Sequence, residues 1–332
     1  MQKGYIELQK PPVIVSAASV VGKHEYEGPL GEFFDLHDPD GNFGQKTWEQ
    51  AEAEMQRQAI NIALSKAKTD AKNIDALFAG DLINQCICSA QGTLSYDIPF
   101  FGLYGACSTI AEGLILSSLL ISGGIYESTI AAASSHNSTA ERQYRFPLEY
   151  GGQRTPTAQW TVTGAGAYVL MSDGNGPHIA GVMPGRSVER GIDDANNMGA
   201  AMAPAAAQTL ECYLEDTKTS PEDYDMIITG DLGEVGSKSL YDLLERDGIN
   251  IRKQHNDCGL MIFERSNQDV HSGGSGCGCA ASVLCSKIMD DFQNGIVQNI
   301  LFMATGALMS PTSSGQGANI PSIAHLVNIK TK

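Results

Sequence analysis

The sequence predicts an α/β layered fold made of two similar halves, and three observations carry that expectation. Short apolar strands alternate with amphipathic helical stretches from end to end. The segment Ile74–Leu82 (IDALFAGDL) recurs as Tyr224–Leu232 (YDMIITGDL), each time after a helical stretch and a turn. Between Ile98 and Ser122, an apolar run, a Gly-Ala-Cys-Ser turn and a run of small and apolar residues set Cys107 at the start of a helix.

The elements follow in order. Val13–Ala18 reads as a strand. Trp48–Lys66 has helical spacing, with Trp48, Ala51, Met55, Ala59, Ile60 and Ala63 on one side. Strand 74–81 precedes the strand–Cys107–helix unit, and strand 128–134 follows it. Residues 137–160 read as a long polar loop carrying Glu141, Arg142, Arg145, Glu149 and Arg154. Loops of that length in a folded domain are usually functional, so this one is expected to wall a pocket. Strands 162–171 and 178–184 close the first half. The second half is expected to hold helix 199–216, strand 224–230, helix 237–246, a strand near 259–263, helix 278–290 and strands 299–305 and 322–329. The two halves are placed at 1–175 and 176–332.

Composition narrows the function. The 332 residues are 42% hydrophobic and only 18% charged, with 36 glycines, which suits close packing of helices on sheets. The formal net charge is −16 and no basic cluster occurs, so nucleic acid is excluded as a partner and direct adhesion to anionic lipid is disfavoured. No apolar run reaches the length of a membrane span, and the first residues do not read as a signal peptide. The eight cysteines include no CxxC pair, which points to reduced thiols rather than a zinc site.

The turn GACST (105–109), the strand TGAGAYVL (163–170) and the glycine-rich GGSGCGCAAS (273–282) resemble landmarks of the thiolase superfamily, which includes the ketoacyl synthases. That resemblance implies five layers, αβαβα, with a reactive cysteine at Cys107. A narrower set of phrases runs the length of the chain: GPLG (28–31), QKTWE (45–49), AGDLINQ (79–85), SSHNSTAERQYRFP (134–147) and ATGALMSPT (304–312). They resemble a sporulation branch of that superfamily found in spore-forming bacteria. This implies a member of the spore dipicolinic acid transport assembly that binds pyridine-2,6-dicarboxylate, free or with Ca²⁺. It would sit in the cytoplasm, recruited to the spore membrane by integral partner proteins of the assembly. A homodimer is expected by fold analogy.

The same resemblance bears on catalysis. The superfamily draws an imidazole and a second His or Asn from two turns that here read Thr229-Gly230-Asp231-Leu232 and Gly276-Cys277-Gly278-Cys279. Neither turn has such a residue, and the second cysteine of the degradative thiolases would fall near Ala304. A binding protein on an enzyme scaffold is therefore expected. The rival is an acyltransferase with Cys107 as nucleophile and His136 as base.

The candidate ligand contacts are Cys107, Ser108, Ser135, His136, Asn137, Arg142, Arg145 and Asp231. Backbone N–H groups at Cys107–Thr109 are expected to favour an anion or a thiolate. Arg142 and Arg145 either grip carboxylates or pair with Glu141 and Glu149. His136 either meets the ligand or closes a strand end. Asp81 and Asp231 either offer oxygen to Ca²⁺ or serve a shared folding need.

Overall fold

The computed structural model describes residues 4–144 and 153–331. Its spine is a mixed sheet whose main strands are β1 (Val13–Gly22), β2 (Ala76–Gly80), β3 (Phe100–Leu103), β4 (Ser128–Ser135), β5 (Gly164–Met171), β6 (His178–Met183), β7 (Met226–Thr229), β8 (His255–Asp257), β9 (Asn299–Ala307) and β10 (Ser322–Lys330). The order is β8-β7-β9-β10-β6-β1-β5-β4-β2-β3.

One half of the sheet repeats the other. β2 runs parallel to β3 and β4, and β5 runs antiparallel to β4 and β1. Likewise β7 runs parallel to β8 and β9, and β10 runs antiparallel to β9 and β6. The halves join where Val13 of β1 faces His178 of β6. The recurring Gly-Asp-Leu phrase ends β2 and β7, the corresponding strands.

Helices complete the layers. Helix α1 (Trp48–Lys66) is started by Thr47, whose hydroxyl accepts the Gln50 N–H at 3.3 Å. It turns Ala51, Met55, Ala59, Ile60 and Ala63 onto β1, β4 and β5, as its spacing requires. Helix α4 (Met198–Thr217) covers β9 and β10 on the opposite outer side, and α5 (Gly233–Arg246) packs against α4. Helices α2 (Thr109–Ser122) and α6 (Cys277–Val283) touch each other between the half-sheets, and α2 contacts strands of both. Five layers result, as the resemblance implied. Small residues allow the central approach: a Cβ on Gly278 would lie 2.2 Å from the Gly164 carbonyl oxygen.

Two expectations are corrected. The segment 137–160 is not all loop: Asn137–Tyr144 forms helix α3, and Trp160–Thr161 is a short strand parallel to Gly274–Ser275. The strand expected near 259–263 lies earlier, at His255–Asp257, and Cys258–Met261 is a helical turn. An apolar run this short does not tell strand from buried helix, and the pairing of β8 with β7 decided it.

Candidate functional site

The unit around Cys107 positions the site. Strand β3 ends at Leu103, a 3₁₀ turn spans Ala106–Ser108, and α2 begins at Thr109. Ala106 takes a left-handed conformation (φ +51°), and this bends the chain sharply enough to set Cys107 at the base of a cavity of about 260 Å³.

Burial grades along the cavity. Leu82, Cys107, Ala140, Gln159, Ser275 and Ala307 are buried at its inner end. The mouth is formed by partly or fully exposed residues, among them Tyr144, Ala195, Asn196, Met198 and Met309. The Tyr144 hydroxyl donates to the Leu82 carbonyl at 2.7 Å, which fixes its ring as a wall.

Beneath the inner end lies Asp231, fully buried. Its Oδ2 accepts the Ser275 hydroxyl at 3.2 Å and the Gly276 N–H at 2.9 Å, and its Oδ1 accepts the Thr305 hydroxyl at 2.8 Å. The Cys107 sulfur is 4.0 Å from Ser275 Oγ. Burial raises the Asp231 carboxyl above its ordinary range, while these donors, with the Cys107 thiol, pull it down. Burial first, and the Asp231 charge second, push the Cys107 thiol far above its ordinary value. Cys107 is therefore a neutral thiol. The helix start does not yield the thiolate expected from sequence, because desolvation and a neighbouring carboxylate outweigh it.

Two of the three N–H groups expected there are engaged. Ser108 N–H donates to the Gly105 carbonyl and Thr109 N–H to the Ala106 carbonyl, both within the turn. The tight turn that presents the sulfur thus takes up groups that sequence reasoning had assigned to an anion.

Comparison with known proteins places the chain. The family model for stage V sporulation protein AD matches residues 2–330. The chain belongs to the stage V sporulation protein AD family. It is 43% identical over 317 residues to stage V sporulation protein AD of Bacillus subtilis (strain 168), covering 96% of this chain and 94% of that one. Among solved structures, acetamide-bound OleA of Xanthomonas campestris superposes with a TM-score of 0.62 at 15% identity, over 98% of this chain and 100% of that one. The 3-oxoacyl-[acyl-carrier-protein] synthase III of Aquifex aeolicus VF5 gives 0.57 at 14%, over 96% and 100%. These two likenesses show the thiolase-like fold.

Of the candidate contacts in this family member, Cys107 lines the cavity and Asp231 underlies it. The others lie elsewhere or brace the wall. Ser108 Oγ donates to the Gly105 carbonyl at 2.7 Å. Ser135 Oγ donates to the Val162 carbonyl at 2.6 Å and accepts the Gly278 N–H at 3.2 Å, which seats α6. His136 is buried, and burial lowers its pKa, so the ring is neutral. Its Nδ1 accepts the Ser138 N–H at 3.1 Å, which leaves Nε2 as the donor to the Gly41 carbonyl at 2.9 Å. No Cys107–His136 pair forms. Asn137 donates from Nδ2 to the carbonyl of Thr161, a cavity residue, at 3.3 Å. Arg142 pairs with Glu49 and lies over the Trp48 ring at 5.3 Å, outside the cavity. Arg145 lies outside the described residues.

Asp81, the counterpart of Asp231, accepts Ile83 N–H at 2.9 Å, Ser89 N–H at 2.8 Å and Ser89 Oγ at 2.7 Å. It sits with Glu52 and Cys88 in a buried group compact enough to hold a metal ion. Glu52 accepts Ser134 Oγ at 3.1 Å and Thr139 Oγ1 at 2.7 Å, so all four carboxylate oxygens are already hydrogen-bonded within the protein. Among the described residues, all eight cysteines are free.

Sequence reasoning missed Gln159, Ser275, Tyr144 and Asn196. Ser275 was within reach, inside the glycine-rich phrase. Gln159 had no local signal, because only the fold brings it to Gly274 and Asp231.

Proposed function

We propose that this chain binds dipicolinate in the Cys107 cavity and performs no acyl transfer, as a component of the spore dipicolinate transport assembly. The observation that carries the proposal is the pairing of a cavity with a buried Cys107 whose neighbours Ser275 and Gly276 both donate to the Asp231 carboxylate. A thioester enzyme needs a nucleophilic sulfur and donors aimed at a developing oxyanion. Here the groups next to the sulfur donate to a buried carboxylate instead. A carboxylate at that place opposes the charge such a reaction develops.

Membership of a sporulation family supports the biological setting. The cavity volume suits a single-ring ligand, and Tyr144, Met198 and Met309 offer ring and thioether surfaces to a flat aromatic. Ca²⁺ would enter only as part of the ligand. No described helix is long and apolar enough to cross a membrane, so work at a membrane would depend on integral partners. The chain would act there from the cytoplasmic side, as a homodimer.

Calorimetric titration of the whole chain with pyridine-2,6-dicarboxylate tests the proposal, with saturable heat at one site expected. Absence of heat at millimolar ligand rejects it. Incubation with acyl thioesters followed by intact-mass measurement tests the non-catalytic part: an acyl adduct on Cys107 would restore the enzyme.

A further inference from the structure

Glu52 of α1 is fully buried and ties that helix to two parts of the cavity frame. Its Oε1 accepts the Ser134 hydroxyl of β4 at 3.1 Å, and its Oε2 lies 2.7 Å from Thr139 Oγ1. Thr139 belongs to α3, which supplies Ala140, Glu141 and Tyr144 to the cavity. Thr139 and Ala140 are the buried residues of that helix, so the contact with Glu52 attaches it to the interior. Asp81 holds the adjoining wall. It accepts the Ile83 N–H at 2.9 Å, and the carbonyl of Leu82, between those two residues, accepts the Tyr144 hydroxyl at 2.7 Å.

The hydrogen bonds assign the protons. Carboxylate oxygens of Glu52 and Asp81 lie within 4.8 Å of each other. Two buried carboxylates that close do not both ionise cheaply. Asp81 accepts three donors, Ile83 N–H, Ser89 N–H and Ser89 Oγ, which suits the ionised form. Glu52 faces a hydroxyl with a second acceptor, because Thr139 Oγ1 also lies 2.9 Å from the His136 carbonyl. A proton on Glu52 Oε2 completes a relay in which Glu52 donates to Thr139 Oγ1 and Thr139 donates to the His136 carbonyl. Without it, the single Thr139 proton serves one of the two acceptors. Burial first, and the Asp81 charge second, raise the Glu52 carboxyl to about 8, in keeping with that assignment. Cys88, from the short helix Ile87–Thr93, and Cys277, at the start of α6, also face Glu52, and burial keeps both thiols neutral. The His136 ring is neutral, and Arg142 of α3 pairs with Glu49 of α1.

We propose that Glu52 is a positioning residue for the cavity: its protonated form holds α3 in place through Thr139, and the ligand binds that form. The inference rests on dipicolinate being the ligand of the Cys107 cavity. Glu52 acts through α3 and does not line the cavity itself. When it loses its proton, a second negative charge appears beside Asp81 and the relay breaks at Thr139. The charge opposes a dianion and the break loosens the wall, so both effects weaken binding. Affinity is therefore full below the Glu52 pKa and falls as pH rises through about 8.

The test is calorimetry of pyridine-2,6-dicarboxylate on the intact chain between pH ~7 and ~9, where both ligand carboxylates stay ionised. Circular dichroism checks the fold at each pH. Affinity at pH ~9 is expected to be about tenfold below that at pH ~7, the change in the protonated fraction of a carboxyl at about 8. Titration in two buffers of different ionisation heat should show uptake of about half a proton at pH ~8. Glu52→Gln keeps an N–H for Thr139 and an oxygen for Ser134 but cannot ionise. It should bind like the wild type at pH ~7 and lose the fall. Thr139→Val cuts the relay and should also flatten the profile, whereas Thr139→Ser retains it. A merely structural Glu52 would shift affinity equally at every pH. Flat affinity in the wild type, or no proton uptake at pH ~8, overturns the proposal. So does an undiminished fall in Glu52→Gln, or in Thr139→Val should Glu52→Gln not fold. A folded Glu52→Gln that fails to bind at pH ~7 also overturns it. Failure of the wild type to bind at pH ~7 is a separate result, and it sinks the choice of ligand together with this inference.

Discussion

Cys107 and Asp231 meet through Ser275, whose hydroxyl lies 4.0 Å from the sulfur and 3.2 Å from the carboxylate. The two residues come from opposite halves of the repeated chain, one after β3 and the other after β7. Burial first, and this nearby carboxylate second, keep a helix-start cysteine, a common place for a reactive thiolate, as a neutral thiol.

Removing that carboxylate should make the thiol reactive. Asp231→Asn takes away a charge that raises the Cys107 pKa, so the thiolate fraction rises. Alkylation of Cys107 by iodoacetamide near pH ~8, followed by intact mass, should quicken relative to the wild type. An unchanged rate would show that burial alone holds the thiol neutral.

Arg142 should be silent in binding. Its guanidinium pairs with Glu49 and lies over Trp48. Arg142→Ala is expected to leave dipicolinate affinity unchanged and to cost at most about 1 kcal/mol of stability, as for other partly exposed pairs. Weakened binding in calorimetry would place this side chain in the ligand's path.

Stability should decline as pH rises from about 4.3 to about 8. Burial pushes the Glu25 and Glu52 carboxyls up to about 8, against roughly 4.3 in an unfolded chain. The native state therefore holds protons that the unfolded chain has released across that interval. Their contribution is complete below pH ~4.3 and is lost as pH rises through about 8. Glu52→Gln copies the protonated form and should flatten the fall in melting temperature over that window. Parallel curves for wild type and variant would contradict the assignment.

Gly278→Ala should damage the frame of the site. The added Cβ would meet the Gly164 carbonyl oxygen at 2.2 Å and Ser135 Oγ at 2.6 Å, contacts that backbone must move to relieve. A loss of about 1–3 kcal/mol or more is expected in denaturant unfolding. A variant as stable as wild type would mean the central helices can part at little cost.

The layered α/β class was legible because burial imposes periodicity. The apolar face of α1 and the full strand β4 both follow from residue spacing alone. So did the repeat, since Asp81 and Asp231 end matching strands. The site was less legible. Ser135 ends β4, His136 and Asn137 follow it directly, and all three looked like pocket residues, yet their polar atoms answer backbone demands at Val162, Gly41 and Thr161. Helix α3 was hidden in a polar stretch because about two turns of helix have little apolar pattern to show.

The amino-acid order by itself determined most of the strands and helices, their duplication, and the presence of one cysteine at a helix start, because residue spacing within each segment reports its periodicity. Only the tertiary structure decided what that cysteine is. Its proton is governed by burial and then by Asp231, and its surroundings by Gln159, Ser275 and Ala307, groups brought together from distant segments by the stacking of two half-sheets. Electrostatic effects act through space and grow as water is excluded, so no stretch of sequence around Cys107 could have carried them.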